Sequence, residues 1–282
     1  MAKFEFIRLS LSVPTIGDLA KGNQRPEPEL SREEFLREAF SERREFFYSG
    51  RLYTYVPSPE NTHGKTTISG YVGKPVTELV NAGPDDLFAL TKSRHYRAAF
   101  LAVDVSPTEQ VVAFERRNDV GSSQRITTAL LDHYVKERKG FSWHTDVEYI
   151  TSESNFWKAA REYRGRITEL SFEFYPPNGL KGFDKFKEFD RLAKQQANGQ
   201  SSEYALKNKD GAVVPEGDFV KSAVEYASEG PGKIKMMEGR KVLYNSRQSK
   251  RVKDAPEVIM PRQGEHSKIL GLIGWLFGKN DG

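Results

Sequence analysis

The chain contains no cysteine. That absence excludes a disulfide scaffold, thiolate zinc or iron–sulfur ligation and a thiol nucleophile, and it fits a reducing compartment. Long hydrophobic runs are missing as well. The longest, Ile269 to Phe277, is interrupted by Gly271 and Gly274 and falls far short of the ~20 residues that span a bilayer. The first ten residues alternate charge and apolarity and lack the unbroken apolar stretch of a signal peptide, so a cytoplasmic location is expected.

Catalytic signatures are equally scarce. His63, His95, His133, His144 and His266 show no H-x-x-x-H or H-E-x-x-H spacing, so no metal centre is expected. Gly64-Lys65-Thr66 resembles the end of a phosphate loop, but Pro59 stands where that loop needs its first glycine, and the residues that follow read as extended. No Gly-x-Ser-x-Gly elbow occurs, and nothing in the sequence asks for a cofactor. Asp184, Lys185, Lys187, Glu188 and Asp190 fall on a predicted helix, where charges spaced i to i+4 decorate a solvated face. An enzyme is therefore the less favoured class, as a metal-dependent nuclease or other phosphoryl-processing toxin whose carboxylates converge only in three dimensions.

What is present is aromatic surface and charge. The 282 residues include 18 Phe and 12 Tyr, enough large apolar surface for more than one core, and the length suggests about two domains. Ile7, Leu9, Leu11 and Val13 alternate with polar residues and predict a strand. Ser31-Arg-Glu-Glu has capping-box spacing and opens a helix whose apolar stripe, Phe35 to Phe47, runs to near Gly50. Extended runs follow at 52–56, 66–72, 98–105 and 110–116, with a short helix at about 85–93 and a longer one at 123–139. Beyond residue 145 the order becomes strand (146–150), helix (154–164), strand (167–175), and then helices at 183–196 and 218–228. The expected fold class is mixed α/β of the α+β kind. An N-terminal domain (1–144) with a mixed sheet precedes a C-terminal strand-helix-strand-helix domain (145–254) that ends in a basic hairpin, and 255–282 form a tail with an apolar end.

The formal net charge of +4 is unevenly placed. Residues 230–253 hold Lys233, Lys235, Arg240, Lys241, Arg247, Lys250, Arg251 and Lys253 against Glu238 alone, a net of +7; the remaining 258 residues carry 35 basic and 38 acidic side chains, a net of −3. So dense a cluster attracts a polyanion and releases its counterions, and these eight residues are the candidate nucleic-acid contacts, to phosphate rather than to base edges. If roughly six of them meet phosphates, log affinity falls with log salt at a slope near −5. Self-association, a protein partner, contact with anionic lipid and plain solvation are the competing uses. Lys92, Arg94, His95, Arg97, Arg116, Arg117 and Arg125 form a second, sparser basic group. At the C-terminal end, Ile269, Leu272, Ile273, Trp275, Leu276 and Phe277 need cover, from the chain's own body, from a partner or by insertion at a membrane interface.

Residues 165–250 contain Leu170-Ser-Phe-Glu-Phe-Tyr-Pro-Pro, a helix rich in Phe and Lys at 183–197, Tyr204-Ala-Leu-Lys-Asn-Lys-Asp-Gly, the helix at 219–227 and the basic strand pair. Over this third of the chain the sequence resembles a group of abortive-infection and phage-exclusion proteins that includes the lambda Rex exclusion protein A and the B protein of the Kiwa defence system. No catalytic signature comes with the resemblance. It implies a cytoplasmic, oligomeric sensor or regulator of anti-phage defence that binds double-stranded DNA and works with a small membrane-protein partner. The apolar end would then be the site for that partner or for a second subunit.

Overall fold

In the computed structural model the described residues are 1–12, 28–59, 64–107, 109–138, 143–174, 202–229, 232–261, 265 and 267–278. They form a mixed α+β fold with two sheets whose ladders are antiparallel. The helix expected at 183–196 lies outside the described residues.

The larger sheet is organised around β1 (Ala2–Ser12). One edge of β1 pairs with β6 (Val111–Glu115); the other is shared end to end by β12 (Val252–Ala255) and β7 (His144–Tyr149). From β6 the sheet continues through β5 (Leu90–Asp104), β4 (Thr67–Asn81) and β3 (Arg51–Pro57) to β2 (Arg44–Tyr48). Alternation in these strands sends one set of side chains to each face. Ile7, Leu9, Tyr53, Tyr55, Val72 and Phe114 are buried under α1 (Arg32–Ser41) and α2 (Ser123–Glu137), whereas Phe4, Phe6, Phe100, Ala102 and Ala113 are buried on the opposite face under α5 (Ser267–Phe277). The capping box at Ser31 and Glu34 forms as the spacing predicts.

Two local expectations are corrected. The first helix stops at Ser41 rather than near Gly50. Ser49 and Gly50 both adopt positive φ, the conformation of a two-residue hairpin turn, and this turn pairs β2 with β3 and captures Phe46 in strand geometry. No helix forms at 85–93; β4 and β5 stay in register from Thr67↔Asp104 to Asn81↔Leu90, which leaves only a 3-10 turn, Pro84–Asp86, at the tip.

The smaller sheet has the order β11 (Lys241–Asn245), β10 (Gly232–Glu238), β8 (Glu169–Phe174), β9 (Ser202–Lys207). Leu170, Phe172, Phe174, Ile234 and Met236 are buried with Phe156 of α3 (Glu153–Glu162) and with Val220, Ala223, Val224 and Ala227 of α4 (Asp218–Glu229). Close packing fixes Gly232, where an added Cβ would lie 2.5 Å from the Ala227 Cα.

The two sheets are nested rather than consecutive, which alters the linear division at 144 and 254. The chain leaves the larger sheet at Ile150 and returns at Lys250, and both crossings are tied together. Ile150 N–H donates to the Phe6 carbonyl, Arg251 N–H donates to the Ile150 carbonyl, and Ser152 N–H donates to the Ser249 carbonyl. β7, β12 and α5, expected in the later domain and tail, thus complete the first sheet, because they pair with the second edge of β1 and cover its apolar face.

Candidate nucleic-acid interface

The basic hairpin forms as β10 and β11, joined through Gly239, whose φ is +56°. Glu238, the lone acid of the segment, is removed from it by Arg166, which donates to the carboxylate from Nε at 2.8 Å and Nη2 at 2.7 Å and holds it below the ordinary carboxylate range. The charge of the hairpin is therefore undiminished by its own acid.

The eight cations do not act as one cluster. Three are engaged inside the fold. Lys233 extends toward the junction of the two sheets, 3.2 Å from Glu173 and 3.9 Å from Glu148. Burial pushes the Glu148 carboxyl up, and Lys233 and Arg247 oppose that shift. Lys250 lies 3.2 Å from the buried Glu5 and 3.6 Å from the centre of the Tyr149 ring. Glu5 also accepts a short hydrogen bond from the Ser123 hydroxyl and faces Arg116 at 3.8 Å. Lys253 donates to the Trp275 carbonyl and sits 4.1 Å over its ring, and its ammonium is lowered by burial. These three lysines compensate buried or half-buried carboxylates or cap α5, and they are withdrawn from the candidate phosphate contacts.

The other five, Lys235, Arg240, Lys241, Arg247 and Arg251, are exposed and make no ion pair within 4.0 Å among the described residues. They are spread over the β10–β11 hairpin and the segment that leads from it to β12. Lys235 projects from β10 opposite Asn245; Arg240 and Lys241 occupy the turn and the start of β11. Arg247 lies in the 3-10 turn Ser246–Gln248, and Arg251 precedes β12 with its guanidinium 4.8 Å from the Phe6 ring. Beside Arg247 a crevice of about 280 Å³ opens at the junction, lined by Gln124, Glu148, Tyr149, Lys233, Ser246 and Arg247.

The internal pairs have a measurable consequence. Lys250→Met leaves Glu5 buried without its nearest cation, and urea unfolding should show a loss of about 3 kcal/mol, the cost of breaking a buried pair. Sequence reasoning missed Glu5 and Glu148 as the groups that consume lysines. Glu5 sits on the alternating first strand, and nothing local shows that Lys250, 245 residues away, reaches it.

The sparser basic group is divided. His95 and Arg97 face Glu78, Arg117 pairs with Asp119 at 3.0 Å, Arg125 is exposed on α2, and only Lys92 and Arg94 share one exposed face of β5. Ile269, Leu272, Ile273 and Leu276 are buried in the chain's own core and Trp275 and Phe277 pack against it, so self-cover replaces the expected partner contact. No described helix is long and apolar enough to cross a membrane, and no group of three His, Asp or Glu among the described residues could hold a metal. Asp184 to Asp190 lie outside the described residues, and the Gly-Lys-Thr segment leads into β4 rather than a helix. No family model, curated protein or solved structure matches the chain, so the placement of charge is the ground for its function.

Proposed function

We propose that the protein binds double-stranded DNA through its phosphate backbone, with Lys235, Arg240, Lys241, Arg247 and Arg251 as the contacts, and serves as a sensor or regulator in anti-phage defence. The observation that carries this reading is the group of five exposed cations on the β10–β11 hairpin and the segment that follows it, from which Arg166 has removed the one local carboxylate. Exposed point charges on a hairpin and its flanking segment suit contact with a phosphate backbone, and they supply no recognition helix for base readout. The partial likeness to phage-exclusion proteins supplies the biological setting, and an oligomeric state and a membrane-protein partner belong to the same proposal.

Five phosphate contacts give a slope of log affinity against log salt of about −4.5. Fluorescence anisotropy with a labelled duplex at several salt concentrations measures it, and a slope near zero would sink the proposal. Incubating the protein with plasmid in Mg²⁺ or chelator separates binding from nuclease activity, since metal-dependent cleavage would favour the enzyme.

A further inference from the structure

The crevice at the junction of the two sheets draws its wall from both. Gln124, Glu148 and Tyr149 belong to the larger sheet and its helix, and Lys233, Ser246 and Arg247 to the smaller sheet and the turn that follows it. It opens beside the two crossings of the chain, where Thr151 is bridged to Lys250. Clefts between structural units are where small-molecule sites collect, and a volume of about 280 Å³ is room for one base and its sugar.

Much of the wall is held in place from behind. The Gln124 amide donates to the Val147 carbonyl at 2.7 Å and to Glu148 Oε2 at 3.1 Å, which spends both of its N–H groups. The Tyr149 hydroxyl lies 3.0 Å from that of Ser123, and the Lys250 ammonium covers the ring at 3.6 Å. Ser246 is fully buried and accepts from the Ile234 N–H at 2.9 Å. Side chains already fixed cost little further ordering when a ligand arrives. Two groups on this wall have unmet demands. Glu148 Oε1 accepts no hydrogen bond among the described residues, and the Lys233 ammonium, 3.9 Å away, is too distant to donate one. The Arg247 guanidinium is exposed and forms no ion pair among the described residues. A ligand that answers both carries N–H donors at one end and an anion at the other.

We propose that the crevice binds one nucleotide, with its phosphate on Arg247 and the N–H donors of its base on Glu148. The planar guanidinium matches phosphate oxygens in pairs. Guanine sets N1–H and N2–H side by side, which suits the two oxygens of a carboxylate, whereas each other base offers one amino group or one ring N–H. Inorganic phosphate alone would meet Arg247 and bring a second anion toward Glu148. The inference rests on the DNA reading only in taking Arg247 as a phosphate contact. A free nucleotide and a terminal nucleotide of a bound strand present the same groups to the crevice.

Isothermal titration calorimetry of the full chain tests it, with guanosine monophosphate, the other nucleoside monophosphates and inorganic phosphate as probes. Guanosine monophosphate should bind roughly tenfold tighter than phosphate and several-fold tighter than the other nucleotides. Glu148→Gln keeps the side-chain shape and an oxygen for Gln124, and a urea melt checks its fold. It should weaken guanosine monophosphate at least about tenfold, whereas loss of a negative charge from a site without base contact would strengthen it. Arg247→Ala, at an exposed position, should reduce the nucleotide to the affinity of guanosine. A duplex with a single-stranded terminal guanosine, compared with a blunt one, separates the two sources. A preference for the overhang that Glu148→Gln abolishes assigns the crevice to the bound strand, and equal affinity assigns it to the free nucleotide. No binding of guanosine monophosphate at about 1 mM, phosphate that binds as tightly, or a Glu148→Gln variant that binds as well as the wild type overturns the proposal. Nucleotide binding without duplex binding would overturn the DNA reading alone, and duplex binding without nucleotide binding this inference alone.

Discussion

Lys235→Glu/Lys241→Glu/Arg247→Glu should weaken duplex binding by at least about 100-fold at moderate salt, because three attractive phosphate contacts become three repulsions. The three side chains are exposed and have no ion-pair partner among the described residues, so the variant should unfold within about 1 kcal/mol of the wild type. The salt slope of the remaining binding should fall toward −2, the value for two residual contacts. Anisotropy titrations paired with urea melts separate the two effects. A variant that binds with wild-type affinity moves the interface elsewhere. The Lys250→Met variant supplies the converse pattern, with lower stability and little change in DNA affinity, since its ammonium is committed to Glu5.

Leu272→Ala carries the largest stability effect expected at the C-terminal end. Leu272 is fully buried, with Ile269, Ile273 and Leu276, against Phe4, Phe6 and Phe100 of the larger sheet. Truncating a buried leucine leaves both a transfer loss and a cavity, about 3 kcal/mol together. Urea unfolding followed by tryptophan fluorescence measures this directly, because Trp275 packs on the same cluster. A surface kept for a partner would behave differently, with stability of the isolated chain unchanged and only assembly affected. A loss below about 0.5 kcal/mol would show that α5 does not hold the sheet.

These two experiments divide the basic and apolar oddities of the sequence into separate physical roles. Of eight adjacent cations, three are engaged by carboxylates or by the end of α5, and the five left exposed are available to a polyanion. The apolar end completes a core, and exposed apolar side chains among the described residues include Phe47, Leu79 and Tyr96 on strands β2 to β5.

Local order was legible because it depends on neighbours. The alternation at Ile7 to Leu11, the capping box at Ser31, the hairpin around Gly239 and the helix at Ser123 are set by residues within one turn or one strand of each other. The +7 segment was legible for the same reason, as charge density needs no fold to be counted. The failures were non-local. Phe46 and Phe47 fit a helical stripe as well as a strand, and only the pairing of β2 with β3 through Ser49-Gly50 decided between them. The distal strand pair within 74–97 has weak periodicity and acquires strand geometry from a register set near its base.

The sequence by itself determined a cysteine-free α+β protein with a concentrated basic segment and an apolar end that needed cover. The tertiary structure alone decided which lysines are spent, what α5 packs against and which strands expose apolar side chains. Those outcomes depend on side chains as far apart as Glu5 and Lys250, which are brought to contact distance by the nesting of one sheet within the strand order of the other. Electrostatic pairing and apolar burial act over a few ångströms of space, and separation along the chain carries no record of them.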